Sequence, residues 1–312
     1  MRVVGVIEFG GPEAFTVVEI PTPEAGPGKV RIRVHAAAVN PTDTYTRNGA
    51  RAEQLKQFDP PYVPGMDVAG VLDQIGDGAA TDLEIGDDVM AIVVPKGSRG
   101  GYSEYVVVPA ESMVAAPNGA SYAEAATLPM NTLTARLALD LLALRPGQTL
   151  LVTGAAGAFG GHTIELAKAD GLRVIADASE ADDALVRSLG ADVVLRRGDD
   201  LASRVRKLIP EGVDAVADGA LLHGLVLPAV HDGGGLAAVR GFIGESERDI
   251  TIHHVVVPQY AREQAKLDQI RELVNAGRIQ MRVARVLPAA EAGEAHRILA
   301  AGGTRGRLIL EF

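Results

Sequence analysis

The stretch TLLVTGAAGAFGGHTIELAKADGLRVIAD, residues 149–177, reads as a strand, a glycine-rich turn, a helix and a second strand without a break. Its first apolar run, residues 150–152, is typical of a parallel strand that is buried on both faces. Gly171 provides a stop for the helix before the second apolar run begins. The stretch therefore predicts one βαβ unit, and the alternation of helices and strands after it predicts a doubly wound α/β domain.

The turn of this unit keeps part of the dinucleotide-binding pattern G-x-G-x-x-G. Gly157 and Gly160 are its last two glycines, while Ala155 takes the first position. Glycines let a backbone approach a pyrophosphate closely, and the helix that we place from about Gly161 points N–H groups and a partial positive charge at it. A strand before the turn and a helix after it favour a nucleotide site over a plain sharp turn. The candidate cofactor-binding residues here are Ala155, Ala156, Gly157, Ala158, Phe159 and Gly160.

Length and composition exclude several classes of protein. The 312 residues suffice for roughly two domains. The chain has no cysteine, which excludes disulfides and thiolate ligands for zinc, and its formal net charge of -10 argues against a nucleic-acid surface. No apolar run reaches the ~18 residues of a membrane span, and the first residues lack the apolar region of a secretory signal. We therefore expect a cytoplasmic protein without nucleic-acid or membrane partners.

The first third of the chain has the pattern of antiparallel β structure. Strand-like runs at residues 3–9, 15–20 and 29–39 are separated by turns rich in glycine and proline. In the third run, KVRIRVHA, apolar and polar residues alternate as they do in a sheet with one buried face. His35 falls on the polar face, so we interpret it as a surface or edge residue. The pattern predicts a compact β domain before the βαβ unit.

The segment VNPTDTYTRNG, residues 39–49, is the densest polar stretch of this region. Asn40 and the proline after it suit the start of a short helix, with Asp43 in its first turn, so capping is one interpretation. The alternative is a functional site built on the same side chains, including Tyr45. The residues that follow, 50–58, are interpreted as a surface loop in preference to an amphipathic helix, because their apolar face is small.

Six stretches carry a resemblance to a known family: AAAVNPTDTYTRNG, PYVPGMDVAGVL, GGYSEYVVVPA, LPMNTLTARLAL, VTGAAGAFGG and AGGTRGRLILEF. Together they resemble the medium-chain dehydrogenase/reductase superfamily, and within it the zinc-free quinone oxidoreductase branch that includes zeta-crystallin. The resemblance covers nearly the whole chain. It implies a β-rich GroES-like substrate domain of residues 1–120 and 285–312, and a Rossmann NAD(P)-binding domain of residues 121–284. Ligands are then expected in the crevice between them.

Zinc-dependent relatives in that superfamily hold a catalytic zinc with a cysteine and a histidine. Here Asn40 stands in place of the cysteine, and Met66 with Asp67 stands where the family has a His-Glu pair, so two ligand positions have lost their chemistry. The adjacent histidines His253 and His254 would point to opposite faces of a strand. The sequence therefore predicts no metal site and no zinc.

Without a metal to polarise a carbonyl, the acceptor needs to be activated already, as quinones and α,β-unsaturated ketones are. The resemblance implies that Asn40 and Tyr45 are polar pocket residues near the nicotinamide. We expect NADPH to deliver a hydride and Tyr45 to donate to the developing enolate or quinol oxygen, with water as the other proton source. Two alternatives stay open: an enoyl-thioester reductase, and an NADPH-binding redox sensor without turnover.

The choice between NADPH and NADH depends on the end of the second strand. An acid about 20 residues after the glycine turn usually binds the ribose 2′-hydroxyl group, which suggests Asp177. Set against the family, Asp177 lies one residue before the acidic position, Ala178 here, and a one-residue offset reverses a strand side chain. Ser179 and Arg196 fall where the family approaches a 2′-phosphate, and a guanidinium suits phosphate. We expect NADPH; the alternative for Arg196 is an exposed loop charge.

Further cofactor contacts follow from the resemblance alone, in stretches that surround the nicotinamide and ribose: Asn131, Thr134, Asp218, Gly219, Gly241, Phe242, Ile243 and Arg305. Asn131 and Thr134 could instead cap and pack a helix, and Arg305 could be a surface charge. Members of this branch commonly form dimers through an edge strand of the nucleotide domain. Residues 251–257 are the expected edge, since an exposed apolar edge would otherwise risk aggregation. We expect a homodimer that binds a small-molecule substrate.

Overall fold

The computed structural model describes residues 1–312. Its strands are β1 Arg2–Val6, β2 Phe15–Glu19, β3 Lys29–Ala38, β4 Asp67–Ile75, β5 Asp88–Ile92, β6 Tyr105–Pro109, β7 Met113–Ala115, β8 Thr149–Thr153, β9 Arg173–Ala178, β10 Val193–Arg196, β11 Val213–Asp218, β12 Val230–Val239, β13 Thr251–Val255, β14 Val283–Pro288 and β15 Arg307–Glu311. Its α-helices are α1 Asp43–Arg47, α2 Ala52–Leu55, α3 Tyr122–Ala125, α4 Pro129–Leu142, α5 Ala158–Ala169, α6 Asp183–Ser188, α7 Leu201–Leu208, α8 Gln264–Asn275 and α9 Ala292–Ala301. Single turns of 3₁₀ helix lie at Pro12–Ala14, Ala110–Ser112, Glu180–Asp182, Val257–Tyr260 and Ala289–Glu291, and a longer one at His223–Ala229.

The first of two compact units is built on a mostly antiparallel sheet. It comprises residues 1–130, 261–277 and 281–312. The strand order is β14-β15-β3-β4-β5-β7, with β6 also paired to β3, and β1 pairs with β2 in a separate two-stranded sheet. Only β14 and β15 run parallel. The alternation predicted for β3 is present, because its apolar face is 3% exposed or less and forms part of the core.

The second unit, residues 131–260 and 278–280, contains a six-stranded parallel sheet. The strand order is β10-β9-β8-β11-β12-β13. The strands β9 and β10 therefore lie on one side of the central strand β8, and β11, β12 and β13 lie on the other. All five residues of β8 are buried, as its continuous apolar run predicts. The switch point therefore lies between β8 and β11, which is where doubly wound sheets bind dinucleotides. The predicted α/β domain and its β-rich companion are both present.

The division between the units differs from the predicted boundaries near residues 120 and 285. Helix α8 lies with the first unit, where Gln264 Nε2 donates to Met113 O at 2.9 Å. Just before this helix, Ser112 Oγ donates to Ala261 O at 2.6 Å, and at its end Asn118 N donates to Asn275 Oδ1 at 2.9 Å. These contacts join segments about 150 residues apart, so a linear reading of the sequence does not reveal them.

Three local predictions are corrected by the structure. Residues 50–58 contain the one-turn helix α2, because Leu55 is buried at 8% exposure and supplies the apolar anchor. Helix α5 begins at Ala158, three residues before the predicted start. The alternation predicted after the βαβ unit includes an α-helix at residues 221–230, but the structure has a 3₁₀ helix at His223–Ala229, since Pro228 lies inside it and removes an N–H donor. None of the helices is both long and apolar enough to cross a membrane.

Candidate functional site

The glycine-rich turn connects β8 to α5 at the switch point of the second unit. Gly154 has a φ of 65°, which residues with a Cβ rarely adopt. A Cβ on Gly160 would lie 2.4 Å from Gly154 O, so the packing of α5 on the turn requires glycine there. At Gly157 a Cβ would meet only Gly154 O, at 3.1 Å, which leaves that side of the turn open to a ligand. Helix α5 begins without a side-chain cap, and the first N–H groups of a helix lack intrahelical partners, so they can bind an anion.

Asp177, near the end of β9, binds the glycine turn itself. One carboxylate oxygen accepts from Ala155 N at 3.2 Å, and the other accepts from Arg197 Nε at 3.1 Å. The side chain is 1% exposed. Both oxygens are therefore used inside the unit, and the one that accepts from Ala155 N fixes the backbone of the turn.

Ser179 and Arg196 lie at the carboxyl ends of two neighbouring strands. Arg196 is paired in register with Ala178, the residue before Ser179, so the two predicted phosphate-binding residues are side by side. Ser179 Oγ donates to Asp182 Oδ2 at 2.6 Å. The guanidinium of Arg196 is exposed and forms no ion pair or hydrogen bond within the chain. Its positive charge is therefore not neutralised by the protein.

Asp218 ends β11 on the other side of the switch point. Its carboxylate accepts from Thr153 Oγ1 at 2.6 Å and from two backbone N–H groups of the loop that follows, at 3.1 and 2.9 Å. Because the side chain is 1% exposed, it shapes that loop from inside. Gly219 lies against the glycine turn, since a Cβ there would be 2.9 Å from Phe159 Cδ1. The structure thus brings Asp218, Gly219 and the glycine turn together.

The other predicted cofactor residues are spread over three segments. Asn131 and Thr134 lie on α4 and are each 8% exposed. Residues 241–243 form a largely exposed loop between β12 and β13, in which Ile243 is 75% exposed. Arg305 is exposed on the turn before β15.

In the first unit a buried ion pair joins the ends of three strands. Arg307 Nη2 lies 2.9 Å from Asp67 Oδ2, and the two side chains are 4% and 0% exposed. Asn40 lies between them: its Nδ2 donates to Asp67 Oδ2 at 2.8 Å, and its Oδ1 accepts from Arg307 Nη2 at 2.7 Å. Met130 N donates to the other oxygen of Asp67 at 2.5 Å. Since an unpaired buried charge is costly, each member of this group depends on the others.

Asp43 anchors the start of α1. Its carboxylate accepts from Asn40 N at 2.8 Å, from Gly65 N at 3.1 Å and from Tyr102 Oη at 3.0 Å. Burial raises the pKa of Asp43 to about 6, and these three hydrogen bonds oppose the increase. The start of α1 is therefore fixed by a carboxyl group that titrates near pH 6.

His296 of α9 anchors the other end of α1. Arg47 Nη1 lies 3.4 Å from His296 Nδ1, and Tyr102 Oη lies 3.3 Å from His296 Nε2. A guanidinium can only donate, so Nδ1 is the acceptor and Nε2 carries the proton. Burial, with the nearby Arg47 charge, lowers the pKa of His296 to about 3, so the ring is neutral. A chain of hydrogen bonds therefore runs from Arg47 through His296 and Tyr102 to Asp43.

Tyr45 lies in the middle of α1, between the two anchored ends. Its side chain is half-buried, and its hydroxyl forms no hydrogen bond within the chain. The guanidinium carbon of Arg51 lies over the ring, 5.6 Å from its centroid. A phenol with a fixed backbone, an available hydroxyl and a cation nearby can donate to an oxygen that develops negative charge.

The sequence did not reveal three residues of the two buried clusters, one around Asp67 and one around Asp43. These residues are Arg307, His296 and Tyr102. Arg307 comes directly before three apolar residues at the start of a buried strand, which is an unusual place for a charge and could have signalled a buried partner. His296 is a lone histidine among the apolar residues of α9, and Tyr102 follows two glycines in a β region. Neither of these two patterns says which side chain it meets, because the partners are 59 to 249 residues away in sequence.

The residues that align with the zinc site of related dehydrogenases do not fit zinc in this chain. The Asp67 carboxylate and the Asn40 amide bind the guanidinium of Arg307, which already supplies a positive charge there. The nearest histidine of the neighbouring cluster, His296, has both ring nitrogens engaged with Arg47 and Tyr102. Structural and catalytic zinc sites need three or four nitrogen, sulfur or carboxylate ligands that are free to coordinate.

Family comparisons agree with this architecture. Residues 26–118 match the family described as Alcohol dehydrogenase GroES-like domain, and residues 189–310 match the family described as Zinc-binding dehydrogenase. The quinone oxidoreductase of Rattus norvegicus is 31% identical over 99% of this chain and 97% of its own length. The chloroplastic NADPH-dependent alkenal/one oxidoreductase of Arabidopsis thaliana is 33% identical over 76% of this chain and 61% of its own length.

Solved structures give the same result. An NAD-dependent alcohol dehydrogenase is 30% identical with a TM-score of 0.87, and a mycobacterial protein complexed with NADPH is 28% identical with a TM-score of 0.86; each alignment covers 100% of both chains. The fold and the site thus define a two-domain dehydrogenase with a GroES-like part and a Rossmann part. The chain belongs to the quinone oxidoreductase branch of the medium-chain dehydrogenase/reductase superfamily, as the resemblance predicted, and is an oxidoreductase of that superfamily.

Proposed function

We propose that this protein transfers hydride from NADPH to a quinone or an α,β-unsaturated ketone without help from a metal. The observation that carries the proposal is the position of Arg307. Its guanidinium binds the side chain of Asn40, which stands in place of the zinc-ligating cysteine of related dehydrogenases, and that of Asp67, which stands in place of the glutamate in their His-Glu pair. An acceptor whose electrophilic carbon is already activated needs no metal, and quinones and enones are such acceptors.

NADPH, when bound, supplies the hydride. The open side of Gly157 and the start of α5 are suited to its pyrophosphate, as described above. Arg196 is suited to its 2′-phosphate, because a free guanidinium binds phosphate in a bidentate manner. Ser179 lies beside it, with its hydroxyl donated to Asp182 in the chain alone. Asp177 uses both oxygens inside the unit, so it does not compete for a ribose hydroxyl. The known structures include both an NAD-dependent and an NADPH-bound relative, so the preference for NADPH rests on Arg196.

Tyr45 is the proton or hydrogen-bond donor of this proposal. Its side chain is half-buried, and its hydroxyl forms no hydrogen bond within the chain, so it is available to an acceptor. Asn40, which the sequence suggested as a second pocket residue, is fully buried and has its amide engaged. We assign Asn40 a positioning role: it fixes Asp67 and Arg307, and its N–H holds Asp43 at the start of the helix that carries Tyr45.

An enoyl-thioester reductase and an NADPH-binding redox sensor remain the alternatives. The Arabidopsis relative named for alkenals and alkenones favours an enone acceptor over a thioester. A sensor would need the glycine turn but not the anchored tyrosine. The predicted cytoplasmic location and the homodimer through β13 are part of the same proposal.

An acceptor series tests the function. The purified protein is mixed with NADPH, and separately with NADH, and cofactor absorbance is followed while quinones, enones and an enoyl thioester are added in turn. We expect oxidation of NADPH with a quinone or an enone, and slower oxidation of NADH. Faster turnover of the thioester would replace the proposed acceptor, and tight NADPH binding without oxidation by any acceptor would favour the sensor.

A further inference from the structure

A cavity on the first unit is lined by residues outside the glycine turn and the two buried clusters. Its volume is about 320 Å³, and it is lined by Phe58, Asp59, Lys96, Ser98 and Arg99. The lining thus contains two cations, one acid, one hydroxyl group and one aromatic ring. This combination suits a small organic anion better than an apolar ligand.

A tight hairpin turn holds Lys96 and Arg99 side by side. Lys96 N donates to Arg99 O at 3.2 Å and Arg99 N donates to Lys96 O at 3.0 Å, so the two residues form an antiparallel pair. Directly opposed residues in such a pair place their side chains on one face, with Cβ atoms about 5 Å apart. Between them Gly97 has a φ of 55°, and its carbonyl accepts from Val63 N at 2.8 Å. A Cβ on Gly97 would lie 2.9 Å from Phe58 Cβ, so the turn is packed directly on that residue.

The two cations have no partner within the protein. Neither Lys96 nor Arg99 forms an ion pair or a side-chain hydrogen bond, although the chain has 40 acidic and 30 basic residues. Asp59 lines the same cavity but comes within 4.0 Å of neither charged group. Like charges that are directly opposed in a strand pair destabilise it. An anion that contacts both cations would remove this repulsion.

We propose that this cavity binds a carboxylate group carried by the acceptor. Two cations and one acid give the lining a formal charge of +1, which a single carboxylate neutralises. Ser98 adds a hydroxyl donor, and the ring of Phe58 offers an apolar contact for the rest of the molecule. Arg51 N donates to Tyr45 O at 3.2 Å and Phe58 N donates to Leu55 O at 2.8 Å, so two backbone turns connect the helix carrying Tyr45 to the Phe58 side of the cavity. The assignment to the acceptor rests on the proposed function, whereas the binding of a carboxylate does not.

A matched pair of acceptors tests the specificity. A naphthoquinone with a carboxyalkyl side chain and its methyl ester differ in charge but share the reacting ring. We expect kcat/KM for the acid to exceed that for the ester about tenfold, as a charge-assisted contact in a partly exposed site would give. The double variant Lys96→Gln, Arg99→Gln should lose this preference and keep its kcat/KM for the ester.

The control removes two charges elsewhere on the same unit. Lys29 and Arg33 are exposed on β3, and the double variant Lys29→Gln, Arg33→Gln should keep the preference for the acid. A preference that survives the cavity substitutions, or falls equally in both double variants, overturns the proposal.

Calorimetric titration provides a test that needs no turnover. The full-length protein is titrated with the acid, with the ester and with inorganic phosphate, all without cofactor. We expect the acid to bind more tightly than the ester, and the cavity double variant to lose about tenfold in affinity for the acid. No binding of the acid, or equal binding in both double variants, overturns the proposal.

Phosphate that binds as tightly as the acid and depends on the same two residues would assign the cavity to a free anion instead. Carboxylate binding that depends on Lys96 and Arg99, in a protein that reduces no acceptor, would refute the proposed function and keep the carboxylate site.

Discussion

Tyr45 combines a backbone anchored at both helix ends with a hydroxyl that has no partner in the chain. We predict that Tyr45→Phe lowers kcat about 100-fold with the preferred acceptor, because general acid catalysis contributes about that much or more. The Kd for NADPH should not change, since the ring and its contact with Arg51 are kept. Full turnover in this variant would leave water as the proton source.

A second tyrosine provides a close control for that experiment. Tyr105 also lies beneath an arginine, with the guanidinium carbon of Arg31 5.5 Å from its ring centroid. Tyr105→Phe removes the same hydroxyl from the same unit at a position with no assigned role. Its kcat should stay within about twofold of the wild-type value, since surface substitutions change free energies by about 0.5 kcal/mol or less.

Arg196 decides the choice of cofactor at the residue scale. We predict that Arg196→Ala raises the Kd for NADPH about tenfold or more and leaves the Kd for NADH nearly unchanged, because a hydrogen bond to a charged group contributes about 1.5–3 kcal/mol. Fluorescence titration with the two cofactors measures both constants. Arg173→Ala, at the opposite end of β9, is the control. Equal losses for NADPH and NADH in the Arg196 variant would contradict the assigned role.

At the scale of elements, α1 is held between two groups whose titrations oppose each other. The folded pKa of His296, about 3, lies below its ordinary value of 6.5, so its contribution to stability is full above pH 6.5 and is lost as pH falls towards 3. The folded pKa of Asp43, about 6, lies above its ordinary value of 3.8, so its contribution is full below pH 3.8 and is lost as pH rises towards 6. Between about pH 3.8 and pH 6 the contributions of His296 and Asp43 to stability change in opposite directions, so they partly cancel in the wild-type protein.

Replacement of His296 should reveal its contribution to the pH dependence of the unfolding free energy. Relative to His296→Gln, the wild-type protein should lose about 1.4 kcal/mol of unfolding free energy for each pH unit between 6.5 and 4.5, because only its unfolded state takes up the proton. Urea denaturation across this range measures the difference. Relative to a His231→Gln variant, at a half-exposed histidine 3.6 Å from Asp214, the wild-type protein should show no such loss. A difference between wild type and His296→Gln that does not change with pH would show that His296 is not held neutral in the fold.

The sequence predicted elements where one local pattern decides the outcome. The glycine turn and β8 are examples, because a buried parallel strand and a strand-to-helix turn each have a residue pattern of their own. Local patterns failed where burial or a long-range contact is involved: Leu55 in the helix at residues 52–55 is buried, and α8 joins the first unit through β7. The same holds within the site. Tyr45 could be suggested from the resemblance, but the pairing of Asp67 with Arg307 spans 240 residues and has no local signature.

At the scale of the whole molecule, β13 is an edge of the parallel sheet and pairs only with β12. We predict a homodimer joined along this edge, because an unpaired edge strand presents free backbone groups to another chain. His254→Lys places a charge on an exposed position of β13 and should give a monomer with an unchanged fold. Light scattering after gel filtration measures the mass, and Ala80→Lys on an exposed loop is the control. A monomeric wild-type protein would refute the dimer.

An isotope experiment shows whether the molecule moves a hydride from NADPH to its acceptor. In a single turnover, NADPH deuterated at one of the two C4 positions is oxidised by whichever quinone or enone is accepted, and the rate is compared with that of unlabelled NADPH and of the other C4 label. We predict slower oxidation for one C4 label only, because one C–H bond at a fixed face of the ring breaks in the step. Equal rates for all three cofactors, or no oxidation in the presence of saturating NADPH and acceptor, would contradict the account.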